Sequence, residues 1–416
     1  MKTGATKDKA TNALVPKLRF PEFRVAPLRS VHLGDVTEEG RHRNGNKHSA
    51  ASVMGVSKAD GIVPMEARLI SADIERYKIV EHDWFAYNPM RLNIGSIARW
   101  QGGKEILVSP DYVVFKCIAD DVAGILPRYV DQFRQTKAWD DFVNDGGDGG
   151  VRVRIYYKDI ARIPLALPSP AEQQKIADCL SSLDELIAAQ GRKVAALKAH
   201  KTGLMQQLFP REGETQPRLR LPEFHDAGHW LGTKLGNYVA IQSGYSPSSY
   251  ALSSTGEYPF VKVEDLNNCA KHQVFGREFC DDSHGVVPAN SILFPKRGAA
   301  IELNKIRITA RSILIDTNLM ALTPRNGLKV DFLYYYLSNV GLSQIADTST
   351  IPQINNKHIT PFEIRLPEEA EQQRIADCLS SLDALITAAT QTLDTLKTHK
   401  QGLMQQLFPS PEATAA

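Results

Sequence analysis

The stretch AEQQKIADCLSSLDELI at 171–187 returns almost unchanged as AEQQRIADCLSSLDALI at 370–386. The match runs further. Across 171–210 and 370–409, 28 of 40 positions are identical, and both copies close on GLMQQLFP. The offset stays constant, so a whole module is duplicated without internal insertion. A shorter match lies upstream, KLRFPEF at 17–23 against RLRLPEF at 218–224, each followed about ten residues later by Leu33-Gly34-Asp35 or Leu235-Gly236-Asn237. The chain therefore reads as variable segment, helix, variable segment, helix. The two variable segments scarcely resemble each other: the frame is repeated while its contents differ.

The repeated segment carries a heptad seam. In the first copy apolar residues fall at Ile176, Leu180, Leu183, Ile187, Val194, Leu197, Leu204 and Leu208, interrupted by Gln190 and Lys201. In the second they fall at Ile375, Leu379, Leu382, Ile386, Leu393, Leu396, Leu403 and Leu407, with Ala389 between them and Lys400 the only break. Alternating 4–3 spacing belongs to a coiled coil, and the simplest way to bury two matching seams is against each other. Ser169-Pro170-Ala171-Glu172 predicts an N-cap, a first-turn proline and a capping-box glutamate. Glu368-Glu369 suits the positive end of the second helix dipole. Phe209-Pro210 and Phe408-Pro409 stop the helices. At ~1.5 Å per residue each helix is a rod of ~57 Å. Lys201 and Lys400 are expected to snorkel at the open end of the seam, and Cys179 and Cys378, at matching positions, to be small packing residues.

Composition sets the broad class. A chain 43% hydrophobic and 23% charged is an ordinary soluble one. No apolar run reaches the ~18 residues of a membrane span, and the N-terminal stretch has no signal-peptide core, so a cytoplasmic protein is expected. Five cysteines without C-x-x-C spacing fit reduced thiols. A net charge of +2 argues against a globally basic nucleic-acid binder and leaves local basic surfaces open.

Each variable segment reads as an α+β domain with short strands at 111–117, 151–157, 258–263 and 312–315 and helices at 127–136 and 330–337. Neither a phosphate loop nor a dinucleotide fingerprint occurs. The stretch 86–90, AYNPM, matches an amino-methyltransferase N-P-P-Y motif only in part, the glycines at 146–150 open no clear helix, and the histidines lack metal-ligand spacing. No catalytic residue and no metal site is expected.

Basic residues interleaved with polar and aromatic ones stand out instead. In the first segment these are Arg41, Arg43, Asn44, Arg91, Asn93, Arg99, Arg152 and Arg154. In the second they are Ser243, Tyr245, Lys296, Arg297, Lys305, Arg307, Arg311, Gln353, Asn355 and Lys357. Arginine reads guanine edges, Asn and Gln read adenine, and lysine neutralises phosphate. A single such cluster is more often a solvated face; recurrence in both segments favours DNA.

At this point the chain resembles the specificity subunit of type I restriction–modification systems. The residues that carry the resemblance are the E-Q-x-x-I-A-x-x-L helices, from Leu167-Pro168 and Leu366-Pro367 onward, with the terminal QQLFP of each copy. Weaker support comes from 86–97, 293–301 and 349–359. The likeness spans nearly the whole chain. It implies two target recognition domains, each reading half of a bipartite site on double-stranded DNA. It further implies helices that pair antiparallel and dock two methyltransferase subunits, which bring S-adenosylmethionine. Restriction subunits would add ATP- and magnesium-dependent translocation, and this chain would bind no cofactor.

The reading is thus an α+β protein in which two target recognition domains alternate with two long helices that pair as an antiparallel coiled coil. The boundaries are a flexible extension at 1–16, recognition domains at 17–167 and 211–366 (with a linker at 211–217), spacer helices at 168–210 and 367–409, and a tail at 410–416. A rod of ~57 Å corresponds to an upper scale of about 17 base pairs at ~3.4 Å each. The competing reading is a coiled-coil adaptor that organises a complex without reading sequence.

Overall fold

The computed structural model of the chain describes residues 15–145, 154–347 and 351–409. Two helices dominate it, Pro170–Leu208 and Glu369–Leu407, each 39 residues long. The chain divides into two compact units, Met1–Gln190 with Thr392–Ala416, and Gly191–Gln391. Each unit therefore holds one variable segment, the N-terminal half of the helix that follows it and the C-terminal part of the other long helix.

The seam periodicity is visible as burial. Ile176, Leu180, Val194 and Leu208 are buried, and Leu183, Ile187, Leu197 and Leu204 are half-buried. The second helix repeats this, with Ile375, Leu379 and Leu407 buried and Leu382, Ile386, Leu393, Leu396 and Leu403 half-buried. In the first unit Ile176 and Leu180 share a core with Met404, Leu407 and Phe408. In the second unit Ile375 and Leu379 share one with Met205, Leu208 and Phe209. Within each unit, then, the beginning of one helix and the end of the other are packed into the same domain core. Cys179 and Cys378 are half-buried free thiols.

The lysines of the seam do not snorkel. Lys400 is 7% exposed and donates to Asp184 Oδ1 at 2.6 Å and to Gln135 Oε1 at 2.8 Å. Lys201 donates to Asp383 Oδ1 at 2.6 Å and lies over the Tyr335 ring. An aspartate on the facing helix is close enough to take each charge, which removes the reason for the side chain to reach water.

The helix starts also differ from expectation. Ser169 Oγ accepts from the Glu172 amide at 3.4 Å, as a cap should. The Glu172 carboxylate turns to Arg19 instead, accepting at 2.8 and 2.5 Å. Glu371 does the same with Arg220, at 2.8 and 2.7 Å. The following glutamines finish the joint: Gln173 accepts from the Leu126 amide and donates to Pro168 O, and Gln372 accepts from the Lys329 amide and donates to Pro367 O. The E-Q pair of the repeat is a clamp between helix and domain.

The two variable segments share a topology that their sequences hide. The first unit has an antiparallel sheet in the order Thr37–Glu39, Val113–Cys117, Phe85–Tyr87, Ile97–Arg99. The second has Val239–Ser243, Leu319–Pro324, Ile292–Pro295, Arg307–Thr309 in the same order and sense, with His272–Gln273 added in parallel at the edge. A two-stranded ribbon closes each segment onto its helix, Arg29–His32 with Pro164–Leu167 and Leu231–Lys234 with Glu363–Leu366. The helices expected near 127 and 330 form as Pro127–Phe133 and Val330–Val340. The strand expected at 151–157 does not form in its described part. Tyr157–Ile160 is a short helix, because Asp159 accepts from the Tyr156 amide at 2.9 Å and caps it. Residues 146–150 and Arg152 lie outside the described residues.

The repeated Leu-Gly of each segment has a steric cause. Gly34 donates its amide to Ala161 O, and Gly236 donates to Thr360 O, where the chain enters its sheet. A Cβ on Gly34 would sit 2.8 Å from the Ala161 Cβ, and one on Gly236 2.9 Å from the Thr360 backbone. Only glycine lets these backbones approach so closely.

Candidate nucleic-acid interface

The shared topology puts one loop in the same place in each unit. In the first unit residues 88–96 join the strands Phe85–Tyr87 and Ile97–Arg99; in the second, residues 296–306 join Ile292–Pro295 and Arg307–Thr309. Each loop is held by the segment that precedes the last short helix of its domain. The Ile155 amide donates to Pro89 O at 3.0 Å, and the Ile354 amide donates to Lys296 O at 2.9 Å. Arg297 and Gln353 form an isolated antiparallel bridge, and Gly298 donates to Pro352 O.

Two clusters result. In the first unit exposed Arg91 and Asn93 stand in the loop, and exposed Arg154 precedes the anchoring Ile155. In the second Lys296, Arg297 and Gln353 are together, with Asn355 and exposed Lys357 following. Among the described residues, the side chains of Arg91, Arg154 and Arg297 have no carboxylate partner, which leaves the guanidinium forks available for phosphate or guanine. Burial pushes the Lys296 ammonium below the usual lysine range, and the Arg297 charge pushes it further, against an opposing pull from Asp316. An anion placed there would relieve the repulsion between the two cations.

Several other candidates are already committed within the fold. Asn44 is 2% exposed, and its amide is tied to His48 and Ile74 backbone groups. Arg99 is clamped between Asp83 and Asp131, the latter at 2.5 Å, and is largely buried. Arg307 donates to Leu266 O and Ile306 O. Arg311 donates to Glu257 O, Lys305 to Asn267 and Arg43 to Arg76 O. Arg41 pairs with Glu39 but is exposed. Ser243 is half-buried at a strand end, while the exposed Tyr245 ring lies 4.9 Å from His284. Tyr87, in the stretch that partly matches a methyltransferase motif, is fully buried, its hydroxyl without a partner among the described residues. That stretch supplies core packing on one side and the loop on the other.

Sequence reasoning missed exposed apolar residues in the two loops and a charged trio elsewhere in the first unit. Met90, Ile94 and Leu303 are exposed apolar side chains in the two loops, where they can meet base faces or thymine methyls. Lys47 and His48 converge on Glu105, 2.7 Å from each, and Lys47 draws the Glu105 carboxyl below its usual range, with His48 adding to it. Their signal in the sequence is weak because the partners are nearly 60 residues apart. Among the described residues no group of His, Cys, Asp and Glu has metal-site geometry, and no helix is long and apolar enough to cross a membrane.

Comparison with known proteins shows what the chain is similar to. Residues 229–398 match the family model described as the type I restriction modification DNA specificity domain. A provisionally named MjaX specificity subunit of a type I restriction enzyme from Methanocaldococcus jannaschii is 25% identical over 347 residues, covering 81% of this chain and 80% of that protein. Along most of its length the chain is similar to specificity subunits of type I restriction enzymes, and residues 229–398 match the DNA specificity domain itself. The EcoR124I/EcoR124II specificity subunit of Escherichia coli is 22% identical over 56% of this chain and 58% of its own length. In fold, the S subunit from M. genitalium matches with a TM-score of 0.57 at 14% identity, over 95% of this chain and 99% of that one. A chain from a type I system, solved for complex assembly and conformational transition, also gives 0.57, at 19% identity over 92% and 98%.

Proposed function

We propose that this chain is the non-catalytic DNA-reading subunit of a type I restriction–modification complex. The segments 17–167 and 211–366 are its target recognition domains, each reading one half of a bipartite site on double-stranded DNA. The helices at 168–210 and 367–409 pair as an antiparallel coiled coil, set the gap between the half-sites and dock two methyltransferase subunits. S-adenosylmethionine belongs to those subunits, and ATP with magnesium to restriction subunits that join the complex. The observation that carries the reading is the pair of equivalent loops. They share a sheet position and an anchoring backbone bond, Pro89 with Ile155 and Lys296 with Ile354. Their side chains differ: Met90 and Arg154 stand where the second domain has Arg297 and Gln353. A repeated frame that presents different donors suits a two-part target whose halves differ. The mixed cores in each unit support the antiparallel pairing.

The test is to co-express the chain with its methyltransferase subunit and map N6-methyladenine across the host genome by single-molecule sequencing. The expected result is one asymmetric bipartite motif with a fixed gap. A stable complex that leaves no new motif would sink the reading and favour a coiled-coil adaptor.

A further inference from the structure

We propose that Lys201–Asp383 and Lys400–Asp184 are the keys that fix the direction and register in which the two long helices pair. The inference rests on the function proposed above only for its consequence on DNA; the pairing itself stands on geometry.

The two lysines occupy the same place in the 40-residue repeat, and so do the two aspartates. The ion pairs are alike, each 2.6 Å long, with the lysine side chains 9% and 18% exposed. Each pair is also fastened to its own domain. Lys400 donates to Gln135, which follows the helix Pro127–Phe133. Asp383 accepts from the Tyr335 hydroxyl at 2.6 Å, from the equivalent helix Val330–Val340, and Lys201 covers that ring. Lys271 closes the second node, donating to Tyr335 and Ser380 at 3.1 Å each.

A seam of Leu, Ile and Val is a poor judge of register, because one such residue packs much like another. Charges in the seam are not interchangeable. In a parallel pairing without stagger, matching repeat positions would meet, so lysine would face lysine and aspartate would face aspartate. In an antiparallel pairing slipped by one heptad, Lys201 would face Ala376 or Thr390, and Lys400 would face Ala177 or Gly191. None of these carries a carboxylate, and a seam lysine would be left without its counter-charge. Of these arrangements, only the antiparallel one without a slip satisfies both pairs at once. One heptad is ~10.5 Å along a helix, a shift of about three base pairs on DNA. The keys therefore determine which gap between half-sites the subunit accepts.

Three full-length variants separate this from a general need for charge. Reversing one pair in place, Lys201→Asp with Asp383→Lys, keeps opposite charges facing. Crossing the pairs, Lys201→Asp with Asp184→Lys, has the same composition but opposes like charges at both nodes. Neutralising both, with Lys201→Met, Asp383→Leu, Lys400→Met and Asp184→Leu, removes the keys and keeps the volume. On the purified chain the crossed variant should unfold at clearly lower urea than the reversed one; equal midpoints would overturn the proposal. Co-expressed with the methyltransferase subunit, the neutral variant should methylate the same half-sites at more than one gap, with at least a tenth of reads at a gap foreign to the parent. An unchanged single gap would also overturn it. A parent chain that yields no motif at all would count against the DNA reading alone, since the urea comparison needs no DNA.

Discussion

Arg19 grips Glu172 through two parallel hydrogen bonds, its side chain 8% exposed and the carboxylate 2%. The guanidinium also donates to Ala26 O, and its pKa is raised, first by the hydrogen bond to Glu172. Arg220 repeats the arrangement on Glu371 and Ala227 O. The first residues of each domain are thereby riveted to the helix after it, across about 150 residues of intervening chain. Arg19→Met leaves a buried carboxylate without its counter-charge. It should cost about 3 kcal/mol, whereas Arg19→Met with Glu172→Met should recover most of that loss; urea unfolding of the four corners of this cycle measures the coupling.

Gly34 and Gly236 allow two backbones to touch. Alanine at either position forces an overlap and should destabilise the chain by about 1–3 kcal/mol. Equal unfolding midpoints for Gly236→Ala and the parent would contradict the close approach to Thr360.

Leu183 and Leu382 are half-buried at the same seam position. Serine at both should lower stability by about 3 kcal/mol and abolish co-purification of the methyltransferase subunit. Normal assembly of that double variant would refute a seam that supports docking.

Arg297→Ala and Lys296→Ala should behave differently. A base-reading arginine contributes about 1–3 kcal/mol of discrimination, so its loss relaxes one position of one half-site. A phosphate-binding lysine weakens binding to all sequences alike and reduces the salt dependence. Methylation mapping and affinities at two salt concentrations tell the two apart. The half-site read by the first domain should be untouched in both variants.

Exchange of residues 17–167 for the corresponding domain of another specificity subunit should change one half of the methylated motif and leave the other half and its asymmetry intact. An unchanged motif would show that the halves are not read separately.

What the sequence determined is the periodic part. Heptad spacing survives any domain contents, so the buried and half-buried stripe from Ile176 to Leu208 and from Ile375 to Leu407 follows from spacing alone, and the repeated Leu-Gly marked a constraint before its cause was visible. Tertiary structure decided what a side chain's distant neighbours are. Glu172 reads locally as a capping glutamate and is taken by Arg19, 153 positions away. Lys201 and Lys400 read as tolerated breaks and are ion pairs. Arg99, Arg307 and Asn44 carry DNA-reading chemistry on paper, yet each is held by groups that only the fold brings near. The common sheet order of the two variable segments is likewise absent from the residue pattern. Strand pairing depends on burial and alternation, which many side chains satisfy, so two sequences can diverge in nearly every residue and still hold their loops in the same place.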